Sequence, residues 1–131
     1  MSIDVIGLLD LFQSAGWGLN DHGGVTYLPL GNEDFDWEVL PIAQKEAVYP
    51  ILVSKIEKGE LIGIALVSEA TNIGLSTLFY PGLERITLSA SINRKTIEGL
   101  DVTDFTWYLK EIGSVILEAG LSIEAIECTD G

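Results

Sequence analysis

The chain has 131 residues, 47% of them hydrophobic, and its 20 acidic against 7 basic side chains leave a formal charge of −13. That is enough chain to bury one core, so a single α+β domain over 1–131 is expected, and disorder is excluded. The acidity is even, with ten acids and three bases in 1–60 and ten acids and four bases in 61–131; no basic arm neutralises phosphates, which excludes nucleic acid and anionic membranes as partners.

The elements follow in chain order. Ser2 caps a helix over 3–15, with Ile3, Ile6, Leu9 and Phe12 on one stripe and Val5 and Leu8 beside it, and Gly16 ends it. Asn20-Asp21-His22-Gly23-Gly24 is a turn, and Val25 to Leu30 reads as a strand whose Pro29 suits an edge. Phe35 to Val39 alternates apolar and acidic residues, the pattern of a strand wet on one face, closed by Pro41. Ala47 to Ile56, rich in Val, Ile and Tyr, reads as a third strand.

The next segment has two readings. Ser54 with Glu57 forms a capping box for a helix over 55–71, which is preferred; alternatively 57–60 is a hairpin turn before a strand Leu61 to Val67. Leu75 to Tyr80 and Arg85 to Ile92 form a hairpin through Pro81-Gly82. Asp101 or Thr103 caps a last helix with Phe105, Leu109, Ile112 and Ile116 inward and Gly120 at its end; Leu121 to Glu127 adds a short strand or a helical turn. The expected fold is two layers in the order α-β-β-β-α-β-β-α, an antiparallel sheet packed by helices.

No apolar stretch approaches the roughly 20 residues that span a bilayer, no secretory signal is visible at the N-terminus, and Cys128 has no second cysteine to pair with. The expected location is the cytoplasm. His22 is the only histidine and sits in a loop without an evident fixed partner, so neither a catalytic role nor a zinc site is expected. Glu33, Asp34, Asp36 and Glu38 do not have the spacing of a calcium-binding loop; they read as a wet strand face or as a patch for a basic partner. The Gly pairs lack the Lys-Ser/Thr of a phosphate loop, and no Gly-x-Ser-x-Gly occurs. No enzyme activity and no cofactor are expected.

The aromatic residues are core candidates first. Trp107 and Tyr108 are adjacent on a helix, about 100° apart, so one of them is a candidate contact surface.

The order helix, three strands, helix, two strands, helix resembles type III secretion chaperones and the related YbjN-like regulators. The stretch that carries the likeness is Leu66-Val67-Ser68-Glu69-Ala70-Thr71-Asn72, similar to that group's helix end with its Asn, followed by two strands and Leu100-Asp101-Val102-Thr103-Asp104-Phe105 opening the last helix. The resemblance implies a homodimer that binds another polypeptide in extended form against apolar surface. The function expected is a non-enzymatic, chaperone-like or regulatory protein-binding module in which Trp37, Tyr49 and Trp107 supply contact area, bordered by an acidic rim. The alternatives are an acidic immunity protein that blocks a basic toxin or nuclease site with Glu33, Asp34, Asp36 and Glu38 as its contact, and a small enzyme using carboxylates alone.

Overall fold

The computed structural model describes residues 5–31, 36–83, 85–92, 95–100, 102–119 and 125–129. Among the described residues three α-helices pack on one face of a sheet, in an α+β arrangement of two layers. The elements are α1 (Val5–Ser14), β1 (Trp17–Gly18), β2 (Gly24–Tyr27), β3 (Glu38–Pro41), a 3₁₀ stretch Ile42–Ala47 leading into α2 (Val48–Glu57), β4 (Ile62–Ser68), β5 (Gly74–Phe79), β6 (Arg85–Ile92), α3 (Phe105–Ala119) and β7 (Ala125–Thr129). The strand order is β3-β2-β4-β5-β6-β7, with β1 pairing β4 beside β2. All pairs are antiparallel except β6 with β7, which are parallel and joined through α3.

Facing residues in the register share a side of the sheet. Tyr27 opposes Ile64, Ile64 opposes Thr77, and Thr77 opposes Leu88, which sets the helix-side face. On that face Ile62, Ile64, Leu66, Leu75, Phe79, Ile86 and Leu88 meet Val5, Leu8, Leu9 and Phe12 of α1 and Tyr108, Ile112 and Val115 of α3 in one apolar cluster. Gly63, Ala65 and Val67 face the other side and are also buried.

The middle of the chain corrects the expectation twice. Ala47 to Ile56 is helical rather than a strand, because Val48, Leu52 and Lys55 recur at helical spacing and are all buried. Pro50 falls in the first turn, where its missing N–H costs least. The preferred helix over 55–71 is absent: Gly59, at φ +68, stops α2, and 62–68 is the strand of the second reading. The N–H of Glu60 bonds the carbonyl of Lys55 at 2.9 Å and that of Gly59 bonds Ile56 at 3.1 Å, the two bonds of a Schellman cap. The unbroken apolar run 61–67 is that of a strand buried on both faces. The residues Leu66 to Asn72 are therefore a strand end and a turn, not a helix end.

Elsewhere the corrections are local. β2 stops at Tyr27, short of the expected Leu30, and β3 begins at Glu38. The cap of α3 is Asp104, whose Oδ1 accepts the Trp107 N–H at 3.1 Å, in place of Asp101 or Thr103. Tyr108 takes the core position expected of Leu109, which is 45% exposed, and Phe105 is half-buried. Ser2, Ile3, Phe35, Asp101 and Gly120 lie outside the described residues.

Candidate functional site

One of the two strands at the ends of the described sheet is β3, the other being β7, and the register of β3 with β2 decides which of its backbone groups point outward. Gly24 uses both of its backbone groups on Asp21, donating at 3.1 Å and accepting at 2.8 Å, so the facing pair Gly24–Pro41 exchanges no hydrogen bonds. Bonded and non-bonded pairs alternate in an antiparallel ladder. Val25–Leu40 and Tyr27–Glu38 are then the bonded pairs, and Thr26–Val39 is not. The N–H and C=O of Val39 therefore point to the outer edge, where no described strand pairs with β3. Pro41, which has no N–H, closes that edge at one end.

The side chains of this strand divide between two faces. Glu38 shares the helix side with Tyr27 and is exposed; burial pushes the Tyr27 hydroxyl above its ordinary pKa, and the Glu38 carboxylate raises it further. Val39 lies on the opposite face and is 64% exposed. Trp37, half-buried, lies on that same face with its ring over the α-carbon of Gly63: a Cβ at Gly63 would stand 2.8 Å from Trp37 Cη2 and 2.6 Å from Leu28 Cδ1. Such a separation is too short for carbon atoms, so Gly63→Ala is expected to displace Trp37 and Leu28 and to lower stability by about 1–3 kcal/mol. Urea unfolding followed by tryptophan fluorescence measures both effects; an unchanged midpoint with unchanged native emission is the contrary result.

Of the residues singled out from the sequence, Trp37, Asp36 and Glu38 come together at β3, while Tyr49 and Trp107 lie elsewhere. Tyr49, half-buried, accepts a 3.0 Å hydrogen bond from Gln13 Nε2 and ties α2 to α1. Trp107, also half-buried, packs on Trp17 with ring centroids 6.1 Å apart and edge-on to Tyr108 at 5.0 Å. Glu33 and Asp34 lie outside the described residues.

Beneath the β2–β3 connection lies Lys55, a residue the sequence did not single out. Its side chain is 1% exposed, and Nζ donates to the carbonyls of Leu28 at 3.2 Å and Pro29 at 3.1 Å. Burial lowers its pKa from the ordinary 10.5, with Glu60 opposing the shift. Glu60 also accepts the Gly31 N–H at 2.8 Å, so α2 and its cap hold the chain leaving β2 from two points. The spacing Val48, Leu52, Lys55 is the signal that finds this lysine once the segment is read as a helix.

At the opposite end of β2, His22 Nδ1 and Asp21 Oδ1 are 2.6 Å apart, and Asp21 Oδ2 accepts the Thr26 hydroxyl at 3.1 Å. The imidazole is 78% exposed and its residue has φ +53. These bonds close the turn into β2. A second exposed apolar group is Ile97, Leu100 and Val102, held in a small loop by bonds from Ile97 N to Val102 O and from Leu100 N to Ile97 O, both 2.9 Å.

Among the described residues no three His, Cys, Asp or Glu side chains converge as metal ligands, and no helix is long and apolar enough to cross a membrane. Comparison with protein-family models, curated proteins and solved structures found no match to this chain.

Proposed function

We propose that the chain is a non-enzymatic protein-binding module of chaperone-like or regulatory type that holds another polypeptide in extended form. The observation that supports it is the open edge of β3, where an exposed Val39 beside Trp37 adjoins the acidic side chains Asp36 and Glu38. Apolar area there offers binding energy, and the surrounding charge favours basic partners over acidic ones. In this reading the module works in the cytoplasm and as a homodimer.

The test is affinity capture from the source cells, identification of the bound protein, and titration of the purified pair at low and high salt. Binding retained to within about tenfold across that range is expected of contacts dominated by apolar burial and main-chain bonds. Affinity that collapses with salt favours the second reading, an acidic inhibitor presenting Asp36 and Glu38 to a basic toxin or nuclease site, which the exposed position of both residues supports. Light scattering at micromolar concentration reads the oligomeric state, and a monomer counts against the homodimer.

A further inference from the structure

Resting on that reading, we infer that β3 takes up an additional strand from its partner, supplied by a segment in which Lys or Arg alternates with apolar residues. A strand joined to the outer edge bonds through the N–H and C=O of Val39, the pair of groups that β2 leaves unused. Its side chains then alternate between the two faces of the sheet. The residue opposite Val39 lies on the face that carries Trp37 and the exposed valine side chain, where an apolar group fits. The residue opposite Glu38 lies on the other face, about 5 Å from the glutamate between Cβ atoms, where a cation fits.

Charge also selects the occupant. A second copy of this chain meets the first with −13 on each side, which opposes pairing of one β3 with another, whereas a basic segment is attracted from a distance. Pro41 lacks a donor and stops the ladder, so the added strand pairs over the four residues of β3 and no further in that direction. Edge strands in natural sheets are kept from pairing with their own kind by such charges and prolines; here the same features leave an opening for the opposite charge.

The test uses the full chain and two fluorescent peptides of one composition, one alternating Lys with Val and one with all Lys preceding all Val, read by fluorescence anisotropy. The alternating peptide is expected to bind at least about tenfold more tightly. Val39→Pro removes the outward N–H without touching a bond to β2, and is expected to weaken the alternating peptide by about tenfold with little change in melting temperature. Glu38→Lys is expected to weaken it by a similar factor. Because a proline variant can misfold, the alternating peptide N-methylated on every second residue provides the same test on the wild-type chain, and loss of binding is expected. Equal binding of the two sequences, undiminished binding by Val39→Pro or by the N-methylated peptide, or no binding of either peptide overturns strand addition. Capture of a partner that Val39→Pro still binds leaves the protein-binding reading in place while removing this one.

Discussion

Lys55→Ala is expected to lower the free energy of unfolding by about 4 kcal/mol or more. Truncating a buried side chain of this length removes packing worth about 2–5 kcal/mol, and a buried acceptor left without a donor costs about 1–3 kcal/mol more. Here two acceptors are left, the carbonyls of Leu28 and Pro29. Lys55→Met separates the two contributions, since it keeps most of the volume and removes only the donor. The pH dependence has a definite sign. Burial holds the folded-state pKa of Lys55 below 10.5, so the unfolded chain binds more protons in the interval between the folded value and 10.5, and stability rises with pH there. The contribution is fully present above 10.5 and is lost as pH falls through the folded value. The deprotonated amine still has N–H groups for both carbonyls. Urea titrations of wild type and Lys55→Met from about pH 7 to about pH 10.5 are expected to diverge in favour of wild type at the alkaline end, and parallel profiles defeat the assignment.

Tyr108→Ala is expected to cost about 3–5 kcal/mol, the range for emptying a buried aromatic site. The ring is 1% exposed and lies edge-on to Trp107 in the main cluster. Its hydroxyl acts separately from the ring. That oxygen accepts the Lys95 N–H at 2.9 Å, while the Lys95 carbonyl accepts the Asp104 N–H at 2.9 Å, so one side chain fixes the base of the loop that exposes Ile97, Leu100 and Val102. Tyr108→Phe keeps the ring and is expected to cost about 1 kcal/mol. Its characteristic readout is faster amide exchange at Lys95 with little change in α1 or β4; unaltered exchange there shows that the hydroxyl does not hold the loop.

Local signals in the sequence locate α1, the β5–β6 hairpin and α3, because each has a clear period bounded by its own turn or cap. They mislead between 47 and 68 for a physical reason. Val48, Tyr49, Ile51, Val53 and Ile56 favour extended backbone as single residues, yet the burial of Val48, Leu52 and Lys55 together needs a helix, and tertiary packing outweighs a preference of a few tenths of a kcal/mol per residue. Gly59 is legible as a helix breaker, but a glycine at that spacing serves a hairpin turn as well as a cap, and only the helix before it decides between them. Of the candidate site, the acidic character of Asp36 and Glu38 is legible. The direction of Val39 is not: whether a strand lies at an edge depends on the pairing of segments far apart in the chain, as does the choice of face. Leu109 shows the same limit on a helix, where a shift of one position moves a leucine from the expected core stripe to solvent.

β4 is the strand from which the rest of the sheet is ordered. It pairs with β5 from Ile62 to Val67, receives β1 and β2 along its other side, and is buried on both faces. Opening it requires both halves of the sheet to separate, so its amide protons exchange through near-global unfolding, whereas those of β3 exchange by a local release of the edge. Protection from exchange is therefore expected to fall outward from β4 toward β3, an edge strand that the molecule can release and reform without unfolding.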